Sequence, residues 1–168
     1  KYGKMLFLID SLGKMGAALM DGTRLIPCEN DFLNWDGYLK ALYVEKDGLV
    51  SLFDQDGSLL LAPKYRAVRG SMHRDDIWAV RRTDDRWGVI DRATGQVIVP
   101  FEYEELNWIE SLMNRNGEKV LILRAQKNGV SGIIDLDNQT VVPFEYQWAA
   151  LSADKKHFLV KQNNRLGL

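Results

Sequence analysis

The chain has 168 residues, 46% hydrophobic and 27% charged, with a net charge of -1 at pH 7. These are the proportions of a folded globular chain, and the charge balance excludes a global field that would attract nucleic acid or an anionic membrane. The single cysteine, Cys28, excludes an internal disulfide and leaves the compartment open. No apolar run reaches membrane-spanning length, and Met5 to Ile9 is too short for the core of a signal peptide.

Lys1 to Gly16 reads as the tail of a repeat unit. Its apolar strand Phe7-Leu8-Ile9 and the glycine turn after it match Phe158-Leu159-Val160 and the turn before Gly167 without a gap. The first full copy, 15–46, is degenerate. Met15 to Leu19 is a short strand, Asp21-Gly22 signals a hairpin, and Leu25-Ile26-Pro27 is the return strand, followed by Cys28-Glu29-Asn30. The second copy, 47–83, pairs Leu52-Phe53-Asp54 with Leu59 to Tyr65 across Asp56-Gly57; Ser51 stands at the glycine position and the proline has moved to Pro63.

The third copy, 84–126, is the clearest: Trp87-Gly88-Val89-Ile90-Asp91, a turn ending at Gly95, then Val99-Pro100-Phe101-Glu102-Tyr103. The fourth, 127–165, repeats it as Ser131-Gly132-Ile133-Ile134-Asp135 and Val142-Pro143-Phe144-Glu145-Tyr146. The corner spacing, from Pro27 to Ala62, Pro100 and Pro143, is roughly 35 to 43 residues, within the range of repeat arrays. Between corner and next copy runs a variable segment ending in an apolar strand: Tyr43-Val44-Glu45, Trp78 to Arg81, Val120 to Leu123 and Phe158 to Val160. Each repeat is therefore predicted to hold three strands, and 1–168 to form one repeat domain. Leu106, Ile109, Leu112 and Met113 fall on helical spacing, so one short helix is predicted over Glu104 to Asn114. The chain opens without Met and closes where a further copy would start, so a piece of a longer protein is expected.

The lone glycine at Trp87-Gly88 marks a bulge or a close backbone approach. Asp91 can hydrogen-bond its own turn backbone, and Pro100 belongs at a strand end or edge because it has no N–H to donate. A meander of three strands cannot bury its own face. Tyr65, Tyr103 and Tyr146 are therefore predicted to pack between neighbouring repeats. These residues resemble the WG-repeat family of bacterial proteins, on Trp87 to Asp91, the Gly95 turn and Val99 to Tyr103. The tryptophan of the motif occurs only at Trp87; Met15, Ser131 and Leu166 precede the other matching glycines. The resemblance implies a β-rich repeat scaffold, associated with binding, and no shared catalytic residues.

The expected fold is all-β: meander repeats stacked as an open superhelical array, with propeller-like closure as the alternative. No pattern calls for a catalytic group, a cofactor or a metal. His73 and His157 sit in unlike segments, and Cys28 adds a single thiol. Asp54, Asp56, Asp91, Asp135 and Asp137 recur at the same turn, as turn chemistry alone requires. The basic run Lys64, Arg66, Arg69, His73, Arg74, Arg81, Arg82 and Arg86 is the one charge asymmetry, and Asp75, Asp76, Asp84 and Asp85 interrupt it, which argues against nucleic acid as partner. Arg69 and Arg74 are the candidate binding residues within it. Trp35 and Trp108 lie at the same distance after Pro27 and Pro100, which makes them candidates for a contact surface; the plainer reading is that each caps the core beneath its loop.

The leading functional expectation is a non-enzymatic module that offers variable loops to a protein partner, with an inhibitor or immunity protein as the narrower form. A glycan-acting enzyme, a carbohydrate-binding domain and a passive spacer are the alternatives. The candidate loops are Asp31 to Leu42, Val68 to Ile77, Leu106 to Glu118 and Trp148 to Lys156. If the corner tyrosines pack as predicted, Tyr103→Ala and Tyr146→Ala should each cost about 3–5 kcal/mol in chemical denaturation; a loss below about 1 kcal/mol for both would place them on the surface.

Overall fold

A computed structural model of the chain describes residues 5–113 and 119–167. The first four residues of the predicted tail, Asn114 of the predicted helix, the 114–118 part of the third loop and the final Leu168 lie outside the described residues. Among the described residues every element is a strand and every sheet is antiparallel. The chain divides into two compact units, residues 1–68 and 69–168.

The first unit holds two sheets. One pairs β1 (Met5–Ile9), β2 (Met15–Leu19) and β3 (Arg24–Asn30) in chain order. The other is a four-stranded meander of β4 (Phe32–Asp36), β5 (Ala41–Lys46), β6 (Leu49–Phe53) and β7 (Leu59–Tyr65). β2 packs on β4, and β3 on β5. Ala17, Ile26, Leu33, Leu42 and Val44 form the core between them.

The boundary between the units falls inside β8 (Ala67–Gly70), which opens a meander with β9 (Ile77–Arg81), β10 (Trp87–Asp91) and β11 (Val97–Tyr103). A second meander comes next, in β12 (Glu105–Met113), β13 (Lys119–Lys127), β14 (Val130–Asp135) and β15 (Thr140–Tyr146). The last sheet has β16 (Trp148–Leu151), β17 (Phe158–Gln162) and β18 (Arg165–Gly167). The packing rule of the first unit recurs: β10 on β12 and β11 on β13, then β14 on β16 and β15 on β17.

The predicted three-stranded meander is present in each full sheet, and the structure adds a fourth strand immediately after the corner. Where a helix was predicted at Glu104 to Asn114, the chain forms β12 instead. A bulge explains the misleading period. Trp108 pairs with Leu123 and Glu110 with Ile122, so Ile109 is the extra residue. The bulge resets the strand's alternation, so that Leu106 is fully buried and Ile109, three residues on, also packs against the core. An interval of three then looks helical although the backbone is extended.

Glycine at the third-strand position is required by a close approach. A Cβ on Gly88 would lie 2.7 Å from the Val99 carbonyl oxygen and 3.0 Å from Phe101 Cδ1. On Gly132 it would lie 2.8 Å from the Val142 oxygen and 2.9 Å from Phe144 Cγ. Each sheet has its register shift at this point. In the first copy Cys28 takes the place of the phenylalanine, and its Sγ would be 2.8 Å from a Cβ on Gly16.

The corner joins sheet to sheet. Tyr103, only 3% exposed, leaves β11 and stacks on Phe144 of the next sheet, with ring centroids 5.9 Å apart. Its hydroxyl donates to Asn138 Oδ1 at 2.6 Å, and Lys127 Nζ donates to the adjoining Glu102 at 2.8 Å. The residue after the corner adds a second link. Glu104 accepts the backbone N–H groups of Asn128 and Gly129, Asp31 accepts that of Asp47, and Gln147 that of Asn164. Each acceptor thus holds a tight turn in the following sheet, where both central residues have positive φ. Tyr146 also packs against the core cluster of Ile122, Ile133, Val142 and Ala149, but it is half-exposed.

Substitutions at the corner should separate its parts. Gly88→Ala should cost about 1–3 kcal/mol in urea denaturation, because the clash is with backbone and cannot be relieved by a rotamer change. Tyr103→Ala should cost about 3–5 kcal/mol, whereas Tyr146→Ala should cost about 2 kcal/mol or less.

The same corner sets a pH dependence. The Lys127 ammonium, then the Asn138 amide, holds the Glu102 carboxyl below the usual carboxylate range. Burial, with Glu102 beside it, pushes the Tyr103 phenol up to about 12. The Glu102 contribution is therefore complete above the unfolded value of about 4.3 and fades as pH falls through the lower folded value. The Tyr103 contribution is complete below about 10 and is lost as pH rises through the raised folded value. Glu102→Gln should flatten the acid limb of a stability–pH curve, and Tyr103→Phe the alkaline limb.

Candidate functional site

Two of the four nominated binding residues meet in the second unit. Arg69 is on β8, and its Nη1 donates to Glu105 Oε1 at 2.5 Å, to the Leu106 carbonyl at 2.8 Å and to Asn107 Oδ1 at 2.9 Å. All three acceptors are on β12, the first strand of the next sheet. The guanidinium also lies over the Trp87 ring, 4.0 Å from its centroid. Trp108 Nε1 donates back to the Arg69 carbonyl at 3.3 Å. The result is a half-exposed strip of Arg69, Glu105, Asn107 and Trp108 along two first strands, above a buried Trp87.

The Trp87 indole N–H is buried without a hydrogen-bond partner. What compensates the ring is the cation on its face, an interaction worth about 0.5–2 kcal/mol. Nη1 alone, with two N–H groups shared among them, serves the three oxygens, and the planar guanidinium stacks on the aromatic face, which a lysine ammonium cannot do.

Trp35 occupies the corresponding position on β4 and packs, partly buried, against the core of the first unit. Arg74 lies in the loop between β8 and β9, bound through two nitrogens to the Asp76 carboxylate. That hydrogen bonding raises the Arg74 pKa and lowers that of Asp76. The neighbouring turn braces the loop: Arg92 N donates to the Asp76 carbonyl at 2.8 Å, and the Arg92 guanidinium lies over the Trp78 ring at 5.2 Å.

The basic run is neutralised locally. Arg81 pairs with Asp85, Arg82 with Asp84 and Arg86 with Glu104, besides the Arg69 and Arg74 pairs. The recurrent acids are turn caps: Asp54, Asp91 and Asp135 each accept backbone N–H groups of their own turn. The Thr94 hydroxyl, then its backbone N–H, holds the Asp91 carboxyl below its usual value. Among the described residues no group of three or more His, Cys, Asp or Glu side chains is arranged to hold a metal ion.

Sequence reasoning nominated Arg69 and Trp108 separately and missed Glu105, Asn107 and the role of Trp87. Nothing in the spacing ties Arg69 to residues so far along the chain. Only the adjacency of two first strands does so.

The family model described as "WG containing repeat" matches residues 87–112 and 132–165. No curated protein matches the chain. Among solved structures, the computationally designed Ika8 protein is 15% identical with a TM-score of 0.45, over 94% of this chain and 52% of that one. This chain thus spans about half the length of that protein. The computationally designed Ika4 protein is 16% identical with a TM-score of 0.43, over 80% and 86%. The WD40 beta propeller domain of Doa1 is 12% identical with a TM-score of 0.35, over 91% and 55%.

Arg69→Lys should weaken the β8–β12 link by about 1 kcal/mol, a figure kept small because the guanidinium is partly solvated. Arg69→Met should expose the Trp87 face and shift its emission to the red. An unchanged midpoint and an unchanged Trp87 emission in both variants would mean the strip is ornamental to the fold.

Proposed function

We propose that this chain, which matches the "WG containing repeat" family model over residues 87–112 and 132–165, is a non-enzymatic binding module which offers the hairpins between first and second strands to a protein partner. One observation carries the reading. Three of the four variable segments run from a first strand into the turn that follows it, between β4 and β5, β8 and β9, and β16 and β17; the described part of the fourth is β12, the first strand of its sheet. The rest of each sheet varies less: the tight turn recurs, as does the glycine except at Ser51, and the corner is clearest at Pro100 to Tyr103 and Pro143 to Tyr146. Variation confined to one place on a constant frame is how repeat proteins separate recognition from folding.

The side chains on these hairpins suit a protein surface. Tyr38, 60% exposed, lies between β4 and β5, and Met72, 70% exposed, between β8 and β9. Arg74 stands beside Met72, and the strip of Arg69 and Trp108 runs along the strands that the hairpins close. Aromatic residues, methionine and arginine are the types enriched at protein interfaces.

Replacing residues 71–76 and 152–157 by Asn-Gly turns should leave the frame folded, since neither segment supplies a strand. Binding to a partner recovered with the parent chain should fall at least about tenfold. Binding that persists at full strength in the folded variant would overturn the proposal.

A further inference from the structure

The tight turn between β13 and β14 holds a chemically reactive pair. Asn128 and Gly129 are both exposed, with φ of 53° and 76°. A two-residue hairpin turn asks for such a pair, because both residues tolerate positive φ. The same pair is prone to cyclisation: the Gly129 nitrogen can attack the Asn128 side-chain carbonyl carbon with no Cβ beside it to obstruct the approach.

A single carboxylate holds the turn. Glu104 Oε1 accepts the Asn128 N–H and Oε2 the Gly129 N–H, each at 3.0 Å. The relative direction of these two N–H groups is set by φ and ψ of Asn128 alone. A carboxylate that grips both therefore fixes the two torsions and ties up the nitrogen that would attack. Glu104 is itself seated. Its backbone N–H donates to the Gln126 carbonyl at 2.8 Å, and Arg86 Nη1 lies 3.6 Å from its Oε1. The grip is lost when the corner opens locally, an event far cheaper than global unfolding.

We propose that Asn128 is a covalent modification site, converted to aspartate or isoaspartate by cyclisation on Gly129, and that Glu104 gates it. The Gly129 N–Asn128 Cγ bond forms and the Cγ–Nδ2 bond breaks. Nδ2 leaves as ammonia with the proton given up by the Gly129 nitrogen, and water then opens the five-membered imide at either carbonyl. The two products differ in effect. Aspartate fits the frame, because the matching turn of the first unit is Asp47-Gly48, with Asp31 accepting the Asp47 N–H. Isoaspartate adds a carbon to the main chain of a two-residue turn that the Lys127–Val130 pair closes, and it displaces the N–H groups from Glu104. Opening of the corner is thereby recorded in the covalent structure. The site is independent of the hairpins proposed above.

Peptide mapping of the full chain, held at mildly alkaline pH below its melting temperature, follows the conversion. A blocked peptide with the sequence of residues 124–133 gives the ungated rate. Asn128 in the folded chain should convert at least about tenfold more slowly than in the peptide, and Glu104→Ala should speed it at least about tenfold. Glu104→Gln keeps one acceptor and should fall between, and it carries the test if Glu104→Ala does not fold. The other Asn-Gly pair of the sequence, Asn116-Gly117, is the internal reference; its rate should not change in either variant. Equal Asn128 rates in folded chain and peptide overturn the inference. So does an unchanged Asn128 rate in the folded variants, or equal acceleration at Asn116 and Asn128.

Discussion

The rest of the structure depends on the contact of three residues at the corner: a glycine, a phenylalanine lying on it and a tyrosine stacked on that ring. Gly132 has no Cβ, so Phe144 can rest on the backbone. Phe144 lying there gives Tyr103 of the previous sheet a flat surface to stack on. Tyr103 is thereby removed from water, and its hydroxyl finds Asn138. A buried aromatic is worth several kcal/mol, and its buried hydroxyl would cost a good part of that if left unsatisfied. The glycine recurs at Gly16, Gly88 and Gly132 for this reason, with Ser51 in its place in the second copy, whereas the tryptophan beside it occurs once. The Trp87 position is held by Ser131 in the next copy, which is also buried. A small or a large side chain can be accommodated there, but a Cβ on Gly88 or Gly132 would meet a backbone oxygen within 2.8 Å.

This contact also explains why the repeating unit of sequence is not the unit of structure. The 84–126 repeat gives β10 and β11 to one sheet and β12 and β13 to the next. What repeats is an interface with half a sheet on either side. Glu104 shows it most directly, because it comes just after the corner of one sheet and its carboxylate holds the Asn128-Gly129 turn of the next. A sheet on its own would have its greasy face and this acceptor unmatched. Stability in such an array resides in nearest-neighbour terms.

Much of this was legible in the sequence, and the parts that were not share a cause. Asp-Gly and Asn-Gly pairs have local backbone requirements, so the tight turns could be placed from composition alone. The glycine and corner were legible because they recur. The strand that follows each corner was not. Ala67–Gly70 and Trp148–Leu151 are four residues each, too short for an alternation to declare itself, and the bulge at Ile109 converts an extended period into a helical one. Sheet-to-sheet contacts are also silent in a linear reading. Arg69 looked like one basic residue among several, and its fan of acceptors exists only because β8 and β12 are neighbours. Tyr146 looked equivalent to Tyr103 because the local sequence is nearly the same; the difference is that Tyr103 has the Phe144 ring of the next sheet to stack on.

The electrostatics constrain how such a molecule can recognise anything. Five arginines fall between residues 69 and 86, which in isolation would suggest an anion-binding face. Each is matched by a carboxylate within hydrogen-bonding or ion-pair distance, and the whole chain carries -1. Pairs this exposed contribute little to stability, but they do cancel the field beyond a Debye length of about 8–10 Å. Long-range steering is therefore weak, and encounter should proceed at the rates of neutral surfaces. Under the proposed function, selectivity must then come from contact, through the shape of hairpins on a fixed frame.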